Sequence, residues 1–217
     1  FWDFRKNNLK IFTNKKILKK KVNPLKYINN LTKNFKINLP KKIPSMSSML
    51  VGYFSYDIIR YVEKIPDNCK DDLKIPDVRI LRPKNLVIYD NFKKKIFYLF
   101  NIFSDSKISN YFEHYNKIKN EFSTLDFYSN INLPKRFTFK TNKNKIKSNI
   151  TKQQFKNKVL KAKKYIKKGD IFQVVISQRF ERKFEKKPLE IYNYLRKSNP
   201  SPFMFYFNFD DFKILGS

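Results

Sequence analysis

The sequence predicts an α+β chain in which antiparallel hairpins alternate with amphipathic helices. Three observations carry this expectation. Apolar runs separated by turn residues recur at 86–103 and 203–215 and read as hairpins. Apolar stripes with helical spacing recur near 24–35, 108–123, 151–168 and 188–197. Between these blocks, the Asn-, Lys- and Ser-rich stretch 126–149 reads as a linker. It separates a first region, 1–125, from a second, 150–217.

In the first region, Phe4 to Thr13 and Lys15 to Val22 read as a hairpin. Pro24 to Phe35 comes next as a helix with Leu25, Ile28, Leu31 and Phe35 on one side. Ser47 to Lys64 reads as a strand and a short helix packed by Tyr53, Tyr56 and Tyr61, with Asp57 and Arg60 at its exit. Glycine occurs only at 52, 169 and 216. Gly52 lies inside an apolar run, which implies close backbone approach or a bulge. Ile75 to Leu81 runs up to Pro83, and Leu86 to Tyr89 pairs with Lys95 to Phe103 across an Asp90-Asn91 turn. A helix over roughly 108–123, with Tyr111, Phe112, Tyr115, Ile118 and Phe122 as its apolar side, closes the region. The linker holds one short strand, Arg136 to Lys140.

The second region is organised around Tyr165 to Phe180. Thr151 and Gln154 form a capping-box pattern, and Phe155, Val159, Ala162 and Ile166 draw one apolar stripe. Lys167 and Lys168 suit the helix C-terminus, and Gly169 suits a residue of positive φ that ends it. A strand is expected after Asp170. Phe172, Val174 and Ile176 share one face; Gln173, Val175, Ser177 and Arg179 share the other, stepping about 7 Å per pair. From pattern alone that second face reads first as a half-exposed edge, with a polar functional face as the alternative. Pro188 opens a further helix with Leu189, Ile191, Tyr192 and Leu195. Asn199-Pro200-Ser201-Pro202 halts it. Phe203 to Phe209, an Asp210-Asp211 turn and Phe212 to Leu215 then form a hairpin. The Asn-Pro-Ser-Pro corner is a rigid turn or a ligand clamp.

The net charge of +30 raises a nucleic-acid-binding reading. The lysines are spread along the chain, however, and Asn, Ile, Phe and Tyr are abundant beside a single alanine, Ala162. That profile fits AT-rich codon usage and a solvated lysine surface, and no nucleic-acid-binding motif accompanies the charge. One cysteine, Cys69, and one histidine, His114, both expected at the surface, exclude an internal disulfide, a thiolate metal cluster and a histidine-dependent triad in this stretch. No apolar run reaches membrane-spanning length and no signal peptide opens the sequence, so no membrane partner and a cytoplasmic location are expected. A start at Phe1 and an end at Gly216-Ser217 suggest an internal stretch of a longer polypeptide.

Four segments, VGYFSYDIIRYVE (51–63), KKYIKKGDIFQVVISQRF (163–180), NPSPFMFYF (199–207) and FKILGS (212–217), resemble the chorismate-utilising enzymes, with the component I branch of the anthranilate synthases nearest. The resemblance implies an α+β sandwich of layered antiparallel sheets with flanking helices. It implies amination of chorismate at C2 and loss of pyruvate to give anthranilate, with ammonia drawn from glutamine by an amidotransferase component II. Mg²⁺ would hold the chorismate carboxylate, its ligands expected beyond Ser217, so that no metal ligand is expected in 1–217 and the stretch alone is expected to be inactive. Gln173 would be the selectivity residue: relatives that add water look like KVVLS rather than QVVIS, and lysine can serve as a base where an amide cannot. Asn199, Pro200, Pro202, Phe203 and Met204 are similar to part of an L-tryptophan feedback pocket. Aminodeoxychorismate synthase component I, of folate synthesis, shares the fold and the glutamine and is the nearest alternative. A basic nucleic-acid-binding module is the alternative from another class.

Overall fold

The computed structural model describes residues 1–13, 16–35, 38–102, 111–124 and 146–217. The expected strand at 136–140, the linker up to 145 and the side chain of His114 lie outside them. The chain divides into two compact units, Phe1–Ser129 and Asn130–Ser217. Both are built from antiparallel pairings and helices, as the α+β reading expects.

The first unit holds a five-stranded sheet from β1 (Trp2–Arg5), β2 (Asn8–Phe12), β3 (Ile17–Lys21), β4 (Val51–Phe54) and β5 (Val78–Leu81), in the order β3-β2-β1-β5-β4. The run expected as one strand from Phe4 to Thr13 folds back on itself at Lys6-Asn7. Both residues take left-handed φ, 47° and 63°, the two-residue hairpin geometry that normally selects Gly or Asn. Side chains hold the turn from outside. Asp77 Oδ2 accepts from the Lys6 N–H at 3.0 Å and from the Tyr61 hydroxyl at 2.7 Å, and Tyr61 Oη accepts from the Asn7 N–H at 3.3 Å.

Alternation puts Phe4, Leu9, Val78 and Ile80 on one sheet face, where they form the core with Trp2, Ile11, Tyr27 and Ile28 packed against them. Helix α1 (Pro24–Asn34) covers that face, with Tyr27 edge-on to Phe4 at 5.7 Å. Its start obeys the capping rules: Pro24 sits in the first turn and the Asn23 side chain accepts from the Lys26 N–H at 3.1 Å. Gly52 in β4 faces Ile80, and a Cβ there would lie 1.9 Å from the Arg79 carbonyl oxygen. This is the close backbone approach its position implied. The segment Tyr56–Tyr61 after β4 is a 3-10 turn of helix.

Strands β6 (Asn85–Asp90) and β7 (Lys95–Phe100) form the expected hairpin, with Asp90 Oδ1 accepting from the N–H groups of Phe92 and Lys93 at 3.0 and 2.9 Å. Helix α2 (Tyr111–Thr124) sets Phe122 against Tyr98 at 5.7 Å. Its stripe is not a buried one: Phe112 and Tyr115 are exposed. Cys69 is exposed, as expected.

Candidate functional site

The candidate site lies on the second unit, where α3 (Lys152–Lys168) forms because its two ends are closed by its own residues. The Thr151 hydroxyl accepts from the Gln154 N–H at 3.2 Å, and Gln154 Oε1 accepts from the Thr151 N–H at 2.8 Å. Gly169 takes φ 78°, and its N–H and that of Asp170 return to the carbonyls of Ile166 and Tyr165. The chain leaves the helix where the sequence says it should.

Beyond Asp170 the chain departs from expectation. Residues 171–179 are not a paired strand; the ladder is confined to β9 (Phe180–Glu181), which pairs with β8 (Lys147–Ser148). The physical reason is the lack of a neighbour. Among the described residues no ladder includes 171–179, and extended backbone becomes a strand only when a run of its N–H and C=O groups meets another chain segment. Phe172 is 99% exposed and Val175 83%. Gln173, Ser177 and Arg179, the polar face of interest, are all exposed.

The far end of the segment is tied down by residues that sequence reasoning missed. The Arg179 N–H donates to Asn149 Oδ1 at 2.9 Å, the Asn149 N–H returns to the Arg179 carbonyl at 3.1 Å, and the Gln178 amide donates to Ser148 Oγ at 2.8 Å. These partners are thirty residues apart, and no local pattern announces them. Beside them a cleft of about 650 Å³ is lined by Ser148 to Lys152, Gln154 to Lys156 and Gln178.

Helix α4 (Pro188–Ser198) leads into the Asn-Pro-Ser-Pro corner, and β10 (Phe205–Asn208) and β11 (Lys213–Gly216) form the hairpin beyond it. Tyr192 of α4 packs on Tyr206 of β10 at 5.6 Å. The Asn199 amide donates to Ser217 Oγ at 3.0 Å, fastening the corner to the end of β11. Opposite it, the Phe205 ring occupies the space above Gly216, so a Cβ there would lie 2.7 Å from that ring. Asn199, Pro200, Pro202 and Phe203 are exposed and Met204 is half-buried. The corner is therefore a rigid, partly apolar ledge. Among the described residues no group of three or more His, Cys, Asp or Glu side chains is gathered to hold a metal ion, and no helix is long and apolar enough to cross a membrane.

This arrangement of antiparallel sheets and flanking helices, with its capped helix, extended QVVIS segment and NPSP corner, defines the class. The profile of the family described as chorismate binding enzyme matches residues 3–217, and the chain belongs to that family. Among its relatives, anthranilate synthase component 1 of Acetivibrio thermocellus is 36% identical over 200 residues, covering 90% of this chain and 40% of that protein. Anthranilate synthase component 1 of Saccharomyces cerevisiae is 33% identical over 200 residues, covering 89% of this chain and 39% of the relative. The crystal structure of anthranilate synthase component I from Streptococcus pneumoniae TIGR4 superposes with a TM-score of 0.78 at 22% identity, over 99% of this chain and 47% of that one. It establishes the shared fold. The chain spans about two-fifths of the length of the curated relatives it matches.

Proposed function

We propose that these residues belong to an anthranilate synthase component I, a lyase of the cytoplasm that converts chorismate and ammonia to anthranilate and pyruvate. One observation carries the reading: relatives bearing that name match about nine-tenths of the chain. Ammonia would come from glutamine through an amidotransferase component II, as the component I name of the relatives suggests.

Gln173 is the residue in this chain that bears on which nucleophile attacks. Its amide is neutral and non-basic, so it cannot take a proton from water and generate hydroxide. Ammonia needs no such help, because its lone pair is already free. A glutamine at this position thus favours amination over hydration of the substrate ring. Mg²⁺ would screen the dianionic substrate and assist departure of the C4 hydroxyl. Its ligands are expected beyond Ser217, and among the described residues no group of three or more His, Cys, Asp or Glu side chains is gathered. Asn199, Pro200, Pro202, Phe203 and Met204 would border an L-tryptophan feedback pocket, the indole resting on the thioether and the prolines.

The test uses the intact polypeptide carrying these residues, with chorismate, Mg²⁺ and ammonium at mildly alkaline pH. Anthranilate fluorescence that rises and is suppressed by L-tryptophan supports the proposal. Chorismate consumed with aminodeoxychorismate accumulating would assign the protein to folate synthesis instead. No consumption, together with steeply salt-dependent binding to nucleic acid, would replace the enzyme reading with the binding module.

A further inference from the structure

The segment that carries Gln173 runs beside α3. It begins just past the helix C-terminus, at Asp170, and ends where Arg179 pairs with Asn149, two residues before the Thr151 cap. The helix rises about 25 Å over its 17 residues, and fully extended chain from 171 to 179 spans roughly 30 Å, so little slack remains between those ends. At the far end Lys152 and Lys156 share one cleft with Gln178.

Lysine gathers on that helix. Eight of the 17 residues of α3 are Lys, against 40 of 217 in the chain, a concentration that chain-wide codon usage does not account for. Asp170 is the one acid between 151 and 180. All eight lysines are exposed, and among the described residues none pairs with a carboxylate. Lys152 and Lys156, Lys163 and Lys167, and Lys164 and Lys168 are like charges four residues apart, a spacing that weakens a helix. The helix dipole offers a reason for Lys167 and Lys168 in the last turn and for none of the others.

We propose that α3 is an electrostatic guide for the substrate: its lysines raise the local concentration of dianionic chorismate beside the Gln173 segment, without contacting the reacting atoms. The potentials of several like charges add, and they decay over a Debye length, about 10 Å at 0.1 M salt, so they reach the segment that lies along the helix. Lys163, Lys164, Lys167 and Lys168 stand nearest Gln173 in the chain and should carry most of the effect. The inference rests on the chorismate reading, and its test separates the two.

The test measures kcat and KM for chorismate with the intact polypeptide carrying these residues, at fixed Mg²⁺ and ammonium and at ionic strengths from about 50 to 300 mM. The parent's kcat/KM should fall about fivefold or more across that range while kcat stays within about twofold. Lys163→Gln, Lys164→Gln, Lys167→Gln and Lys168→Gln combined should lower kcat/KM about fivefold at the low-salt end, spare kcat and flatten the salt dependence. Gln is a good helix former, so the circular dichroism of the variant should match the parent. The same four positions changed to Arg keep their charge and should behave like the parent. A parent that consumes no chorismate overturns the chorismate reading, and this inference with it. Where the parent is active, a kcat/KM indifferent to salt, a Gln variant equal to the parent or lowered only in kcat, or an Arg variant as impaired as the Gln variant overturns the guide alone.

Discussion

Arg79 and Asp3 face each other across the β1–β5 ladder as a bidentate pair, Nε to Oδ1 at 2.6 Å and Nη2 to Oδ2 at 2.7 Å. Both side chains are buried, on the sheet face opposite α1, and the Arg79 guanidinium also lies 5.3 Å from the Phe1 ring centre. Coulomb attraction and two charge-assisted bonds offset the desolvation of both ions. Removing one partner strands the other. Asp3→Ala is therefore expected to destabilise the first unit by about 3–5 kcal/mol, while Asp3→Leu with Arg79→Met should recover most of that loss. Urea unfolding monitored through Trp2, the single tryptophan and a residue of β1, reads this unit directly.

Two glycines should fail for different reasons. Gly52→Ala forces a methyl into the Arg79 carbonyl, so β4 must separate from β5, at a cost of roughly 3 kcal/mol. Gly169→Ala meets nothing within 4 Å and is disfavoured only by its φ of 78°, at about 1–2 kcal/mol. The first change should lower the urea midpoint seen by Trp2. The second should leave that midpoint alone and speed exchange at the end of α3.

Tyr61 makes the Lys6-Asn7 turn sensitive to alkali. Burial, reinforced by its hydrogen bond to Asp77, pushes its hydroxyl from 10.0 up to about 12. A raised folded pKa means a contribution present in full below about pH 10 and lost as pH rises through about 12. The first unit should thus weaken across that window, and Tyr61→Phe should remove this part of the pH dependence. An ultraviolet phenolate titration beside alkaline unfolding curves decides the matter. An ordinary titration near 10 for every tyrosine would refute it.

Gln173→Lys in the intact polypeptide is expected to lower amination of chorismate by at least about tenfold, since an ammonium head or a base replaces a neutral amide beside the nucleophile. Anthranilate formed at the parental rate would remove Gln173 from its proposed role.

Met204→Ala should loosen L-tryptophan inhibition about three- to thirtyfold while leaving the uninhibited rate near that of the parent, if the corner borders the inhibitor. An unchanged inhibition constant would detach the Asn199 to Met204 corner from regulation.

The local order of the chain was legible because local forces write it. Thr151, Gln154 and Gly169 close α3 with their own backbone and side chains, and Pro24 opens α1. Those signals act over a few residues, so they survive whatever the rest of the chain does. The family resemblance rested on the same kind of short, ordered segments, and the fold agrees with it. The features that escaped are the ones made by distant residues. Lys6 and Asn7 turn because Tyr61 and Asp77 arrive from far along the chain, and Asp3 is buried because Arg79 comes to meet it. Alternation in 171–179 describes a strand's two faces but cannot supply its neighbour, since a ladder's hydrogen bonds come from a second segment. Helix ends are local agreements between neighbouring residues, whereas sheets and buried ion pairs are agreements between residues that only folding brings together.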